Sequence, residues 1–328
     1  MHTGNHYKIS EFLVWTRRDI YVLFGLAVVP TILYQLFNVY WIAIPWVPIA
    51  MIGTAAAFIV GFKNTQTYNR LWEARQIWGA IVNASRSWGI LTRDFVLAEQ
   101  SIHRQLIYRH FAWLTALRFQ LRKPQLWENS TKPYNKEFRH YYRIPEWEDR
   151  LEDELKKYLS PEELDYILNK KNRAAQLIAL QSGHLKRLKQ TQVLDALEYI
   201  ELENLLTVLY EQQGKCERIK NFPYPRQFAS INLFFTWLFV ILLPLGMLNE
   251  FQKLGKEFVW LTIPFSIVVS WVFTSMEKVG EATENPFEGG ANDIPMAALS
   301  RNIEIDLRDM LDETELPSPL TPVNNILM

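Results

Sequence analysis

Apolar and charged positions are sharply segregated along the chain. Four stretches contain no charged residue: Ile20–Phe37 with 18 residues, Trp41–Phe62 with 22, Ile231–Leu248 with 18 and Phe258–Met276 with 19. A bilayer core takes about 20 apolar residues as helix, within a range of roughly 17–25, so each length fits one crossing. Soluble core helices rarely lack charge on every face, and these runs carry none. Each holds proline (Pro30; Pro45 and Pro48; Pro244; Pro264), which membrane helices tolerate because neighbours re-satisfy the freed carbonyls. Buried helices or strands of a large soluble core are the alternative, which the lack of charge on every face disfavours. The first run is too long for the apolar region of a cleaved signal, and no A-x-A site directly follows it.

Basic residues flank these runs asymmetrically. Lys8, Arg17 and Arg18 precede the first, and Lys63, Arg70 and Arg75 follow the second. Arg218, Lys220 and Arg226 precede the third, and Lys278 follows the fourth. Asn38–Tyr40, between the first two runs, is uncharged, while Lys253 and Lys256 are balanced by Glu250 and Glu257. Basic residues near span ends mark the cytosolic side, so both termini and the long middle segment are expected there. The expectation is an all-α membrane protein with four transmembrane helices. Residues 1–19 form a cytosolic N-terminal segment, 20–62 a membrane hairpin, 63–226 a helical cytosolic region, 231–276 a second hairpin and 277–328 a cytosolic tail.

The insert reads as helical. No breaker interrupts the second run until well past Gly79, predicting one helix that leaves the membrane and continues. Ser160-Pro161-Glu162-Glu163 is a helix start, with Ser160 as cap, Pro161 at the first position and Glu163 returning the bond. Glu146–Tyr158, rich in alternating charge, reads as a solvated helix face, and Ala174–Tyr210 has helical apolar rhythm. No strand pattern and no fixed-period repeat is evident. Three prolines after Leu316 predict an extended or disordered end.

Composition removes other classes. Lys+Arg and Asp+Glu number 35 each, so no basic nucleic-acid footprint exists in the totals. Cys216 is the sole cysteine, which excludes an intrachain disulfide framework and multi-cysteine zinc sites. Lys215 and Arg218 beside it would lower a thiol pKa; a solitary structural cysteine is the plainer reading. His2 and His6 lie one helical turn apart at a terminus, and no metal site or cofactor is expected. No phosphate loop, GxSxG, GxGxxG or HExxH is present, and no ionisable group lies inside the four runs. That argues against a proton relay and against an enzyme. Asn129-Ser130-Thr131 matches a glycosylation acceptor, which the predicted cytosolic side makes irrelevant.

The second run carries two stripes. Gly53, Ala57 and Gly61 are small residues spaced by four, the kind that lets helices approach closely in lipid. Thr54, Phe58 and Phe62 form an adjacent stripe rotated by roughly 100°. If the small stripe packs on a neighbour, the second faces a central axis and makes a narrow apolar constriction that gates by dewetting. Otherwise the phenylalanines face lipid or pack within the subunit. One four-span subunit does not easily enclose such a pore, so an oligomer is implied.

These residues also carry a resemblance. Gly61-Phe62-Lys63-Asn64, Tyr68-Asn69-Arg70-Leu71-Trp72-Glu73-Ala74-Arg75 and Trp78-Gly79 are similar to the signature of the bestrophin family in its bacterial branch. Glu284-Asn285-Pro286-Phe287, Ala291-Asn292-Asp293-Ile294-Pro295, and Cys216-Glu217-Arg218 leading through Pro223 and Pro225, extend the match from the first run to about Leu311. The resemblance implies a homopentameric ion channel in the bacterial inner membrane whose partners are its own copies, lipid and small monovalent ions. Its pore helix would be 41–62, continuing into the cytosol. The family's hydrophobic neck aligns with Thr54, Phe58 and Phe62, where bacterial relatives often carry branched aliphatics at the first two positions. A second constriction at the cytosolic exit aligns with Leu197, with Leu194 and Ile200 as alternatives. Animal members bind calcium through an acidic run after the Asn-Pro-Phe box. Here two scattered carboxylates do not supply the six to eight oxygens calcium takes, so no calcium activation is expected. Asn285, Pro286, Phe287, Asn292 and Asp293 are expected to tie the tail to a neighbouring subunit. Chloride is slightly favoured over cations as the permeant species. The rival readings are a secondary transporter, which needs inverted repeats or broken-helix sites, and a membrane-anchored scaffold.

Overall fold

In the computed structural model, which describes residues 1–328, the regular elements are all helical. They are α1 (Ile9–Gln35), α2 (Trp46–Phe95), α3 (Gln100–Arg122), α4 (Pro133–Phe138), α5 (Pro145–Glu148) and α6 (Leu151–Leu155). There follow α7 (Pro161–Leu168), α8 (Arg173–Gln190), α9 (Ala196–Asn221), α10 (Arg226–Gln252), α11 (Thr262–Ala282) and α12 (Met296–Asp309). The only β pairing is two isolated bridges at the chain ends, His2 with Ile326 and Val323 with Ile326.

The chain divides into two compact units. One comprises Gly4–Arg70 and Pro223–Glu284; the other comprises Met1–Thr3, Leu71–Phe222 and Asn285–Met328. Helix α2 contributes its beginning to the first and its remainder to the second.

In the first unit α1 packs along α11, and α11 along α10. Three stretches are long and apolar enough to cross a membrane: Tyr40–Phe95, Arg226–Gln252 and Lys256–Ala282. Helix α1 differs because Glu11, Arg17, Arg18 and Asp19 occupy its opening turns, leaving Ile20–Gln35 as its charge-free part. Helix α2 begins at Trp46, later than the apolar run. Tyr40–Ile42 is a separate 3₁₀ turn and Ala43 is extended, in keeping with the bias of pre-proline residues away from helix ahead of Pro45. Pro48 is tolerated because it falls in the first helical turn, where the N–H has no partner in any case. The basic span ends are paired inside the unit. Lys63 Nζ donates to Glu277 at 3.1 Å, and Lys278 Nζ to Asp19 at 2.8 Å and to the Trp15 carbonyl at 3.0 Å. Arg226 pairs with Glu284.

The second unit is built around α3. Every residue from Arg109 to Arg118 is buried, so this helix is enclosed on all faces and its polar groups need internal partners. They have them. Arg109 donates to Gln181 at 2.7 Å and pairs with Glu163. His110 meets the Ser85 hydroxyl at 2.9 Å, and Trp113 Nε1 donates to Gln213 at 2.9 Å. Arg118 donates to Glu146 at 2.6 Å.

This arrangement corrects several expectations. Ser160 accepts from the Glu163 amide at 3.3 Å, but the Glu163 carboxylate goes to Arg109 instead of back to the cap. The Glu146–Tyr158 segment is no solvated helix: it breaks into short pieces, and Glu146 is buried between Arg118 and Arg122. Ala174–Tyr210 divides into α8 and α9 at Thr191–Asp195, where Asp195 and Glu198 form a reciprocal capping box with bonds of 2.8 and 2.9 Å. The tail after Leu316 is extended and fastened. Ile326 and Met328 pack with Tyr142 and Ile144, and the Ala298 amide donates to the Met328 carbonyl at 2.9 Å.

Candidate ion pathway and the asparagine-proline-phenylalanine box

Helix α2 presents two contrasting faces within the first unit. Ile49, Gly53, Ala56, Val60, Lys63 and Thr67 are buried. Their spacing alternates three and four, which follows the 3.6-residue turn. A strict spacing of four gains about 40° per step, so the Gly53–Ala57–Gly61 stripe winds off that face. Gly53 is beneath Phe239; Ala57 is exposed, and a Cβ on Gly61 would meet nothing within 4 Å. Only the first of the three therefore serves packing inside the subunit.

On the opposite side Thr54 is exposed, Phe58 is 76% exposed and Phe62 is 47% exposed. The Thr54 hydroxyl donates to the Ala50 carbonyl at 2.9 Å, which commits its hydrogen to the helix backbone. Phe62 is partly supported by Phe228, their ring centroids 6.4 Å apart and tilted by 46°, and Phe228 by Tyr224 at 6.4 Å. No charged side chain belongs to this stripe, and nearby Lys63 is buried against Glu277. Such a surface is apolar and aromatic and carries no fixed charge.

In the second unit, the three aperture candidates separate. Leu197 is 74% exposed on the first turn of α9 and Ile200 half-exposed, while Leu194 is buried in the core. Leu194 is therefore removed from the set.

The asparagine-proline-phenylalanine box is turned inward. Phe287 is in the hydrophobic core. Asn285 Nδ2 and the Asn129 amide donate to the Glu288 carboxylate at 3.2 and 2.8 Å. The Gly289 amide and Arg122 Nη1 donate to Asp293 at 2.8 and 3.2 Å, and Arg122 Nη2 to the Ile294 carbonyl at 3.0 Å. Gly289 sits at φ +87°, and a Cβ there would stand 2.8 Å from Ile144, so the turn both favours and needs glycine. Asn285, Phe287 and Asp293 are thus spent within their own chain, leaving little for the expected reach to a neighbouring subunit. The physical reason is burial: carboxylates withdrawn from water need internal donors. Burial, aided by the neighbouring Asp293 charge, pushes the Glu288 carboxyl up to about 8. Burial also raises Asp293, against the opposing pull of Arg122 and the two glycine amides.

Sequence reasoning missed the ionic network that holds this box. Arg122 bridges Glu146 and Asp293, and Lys220 pairs with Glu128 close by. No local motif marks residues 24 to 171 positions apart as partners. Cys216 is buried, and burial with the Glu217 and Glu73 charges raises its thiol pKa; the lowering expected from Lys215 and Arg218 does not arise.

A family model for bacterial and fungal bestrophin proteins matches residues 13–309. A protein of Escherichia coli K12 named voltage-dependent anion channel-forming protein YneE is 28% identical over 278 residues, covering 84% of this chain and 80% of that one. The protein of Ralstonia nicotianae named voltage-dependent anion channel-forming protein RSc3414 is 26% identical over 311 residues, covering 88% and 90%. Among solved structures, a bacterial bestrophin homologue from Klebsiella pneumoniae superposes with a TM-score of 0.78 at 24% identity, covering 91% of this chain and 99% of that one.

Proposed function

The chain belongs to the bacterial and fungal bestrophin family, and on that premise we propose that it forms a homopentameric channel passing small monovalent ions down their gradient. Five copies of α2 surround the axis. Helices α1, α10 and α11 complete four crossings per subunit in the inner membrane, with both termini cytosolic. The observation that carries this reading is the exposure of an uncharged Thr54–Phe58–Phe62 stripe on a helix of membrane-crossing length whose other face is buried.

In this assembly the stripe is the neck. Its rings set the narrowest apolar passage, which resists wetting until they rotate or separate. Gly61 and Ala57, uncovered in the single subunit, let adjacent copies of α2 approach closely. Leu197 provides one apolar side chain per subunit at the cytosolic aperture. Anions are the favoured species, because the named relatives are anion channel-forming proteins and an aromatic edge turned to the axis presents its positive rim. Without a charged ring the selectivity is modest.

The test is the reversal potential of purified protein in a planar bilayer under a KCl gradient. A value near the chloride equilibrium potential supports the anion reading, and one near the potassium potential overturns it. Absence of current in both the wild type and Phe58→Ala overturns conduction altogether.

A further inference from the structure

Helix α9 turns one side to the core of the second unit and leaves the other uncovered. Leu202, Leu206 and Leu209 are buried, whereas Leu197, Glu201, Asn204, Val208 and Glu211 are exposed. At about 100° per residue these exposed positions fall within about 80° of one another, so they share one face. Glu201 is one turn beyond Leu197, about 6 Å along the axis and about 40° around it. Whatever encloses Leu197 therefore encloses Glu201. Where copies of Leu197 meet around an axis, the Glu201 carboxylates form a second ring one turn away.

The charge on this helix is of one sign over most of its length. From Ala196 to Gly214 it carries Glu198, Glu201, Glu203 and Glu211 and no lysine or arginine. The other carboxylates near Leu197 are engaged. Asp195 and Glu198 accept from each other's backbone amides at 2.8 and 2.9 Å, where they offset the positive start of the helix. Glu203 is half-buried beside Tyr199, and Lys189 lies over the Tyr199 ring at 4.8 Å. Tyr199 is about 200° around the helix from Leu197, so that lysine is on the far side from Glu201. Lys186 and Arg187, also at the end of α8, make no ion pair with Glu201, whose carboxylate is exposed and unpaired. Lys215 shares the exposed face but stands about 21 Å beyond Glu201.

We propose that Glu201 is a selectivity-determining residue of the ion pathway, its carboxylates forming an acidic ring beside the Leu197 aperture that repels anions and admits cations. The inference rests on the channel reading and on Leu197 as the aperture. Rings of acidic side chains favour cations in channels generally. The neck stripe carries no charge, so this ring opposes the anion preference of the neck and holds the overall selectivity low.

The experiment compares reversal potentials of purified full-length wild type and Glu201 variants in planar bilayers under a KCl gradient. Glu201→Gln is nearly isosteric at an exposed position and preserves the fold. Its reversal potential is expected to move toward the chloride equilibrium potential. The anion-to-cation permeability ratio should rise about threefold or more, the effect of one unit charge about 7 Å away in water. Glu201→Asp, which keeps the charge, stays near the wild type, and Glu201→Lys moves further toward chloride. The shift is expected at about 0.1 M salt, where a charge acts over about 10 Å, and fades at about 1 M, where it acts over about 3 Å. Glu211→Gln, about 15 Å further along α9, is expected to leave the ratio unchanged. Current that persists with an unchanged ratio in Glu201→Gln, or an equal shift in Glu211→Gln, overturns the assignment and leaves the channel reading standing. Absence of current in both the wild type and Phe58→Ala overturns the channel reading, and this inference with it.

Discussion

The ring of Phe239 on α10 occupies the space above Gly53 on α2, where a Cβ would stand 2.5 Å from Phe239 Cε2. The two helices meet at this point because residue 53 has no side chain. Gly53→Leu is therefore expected to destabilise the subunit by about 1–3 kcal/mol, the usual cost of overpacking. Gly61→Leu, whose Cβ meets open space, is expected to leave the subunit's folding intact but weaken the proposed pentamer. Thermal unfolding in detergent and native mass spectrometry measure the two effects; equal behaviour of the two variants contradicts the assignment.

Phe58→Ala and Phe62→Ala are expected to raise single-channel conductance or open probability, since each removes apolar surface that would dewet the proposed neck. Phe58→Ala should act with little loss of stability because its ring is largely exposed, whereas Phe62→Ala also gives up its contact with Phe228. Currents unchanged in both variants rule the neck assignment out.

Glu146→Gln is expected to be among the most damaging single substitutions in the second unit. It removes the charge facing both Arg118 and Arg122, and breaking a buried ionic set by losing one partner costs about 3–5 kcal/mol. Chemical denaturation against the wild type tests this; a loss below about 1 kcal/mol would fall within the range of exposed pairs and refute it.

The Glu288 carboxyl, ordinarily near 4.5, is raised to about 8 by burial and by Asp293. Between these values the folded chain holds a proton that the unfolded chain has released, so stability falls as pH rises through the window. Asp293 is raised too, which adds to the same trend. Melting temperature should decline from about pH 5 to pH 8.5, and Glu288→Gln should flatten part of that decline. A variant whose pH profile parallels the wild type would show that Glu288 does not titrate there.

The parts legible in the sequence were those with a local signature. An absence of charge over about 20 residues marks a membrane-length run, and the unbroken pattern through Gly79 marked α2. The Ser160 cap was equally visible, but the destination of Glu163 was not, because Arg109 is 54 positions away. Charge density around Glu146 reads as solvation only when partners are unknown; inside the fold two arginines of α3 reverse its meaning. The small-residue stripe does not lie on one buried face of the subunit, since a spacing of four drifts off any one face while the buried positions alternate three and four. For the box at Asn285, the residues themselves could be picked out, yet their inward direction depends on Arg122 and on the turn at Gly289.

Helix α2 runs 50 residues from Trp46 to Phe95 without an internal break, and this makes it a timing shaft as well as a strut. Each inserted or deleted residue turns everything downstream by about 100°. Within the first unit, a single insertion between Gly53 and Lys63 would keep Gly53 under Phe239 but turn Lys63 away from Glu277, while seven residues return them to within about 20°. Length variation in this stretch should therefore survive only in near-heptad steps, a constraint on the gene that no side chain imposes.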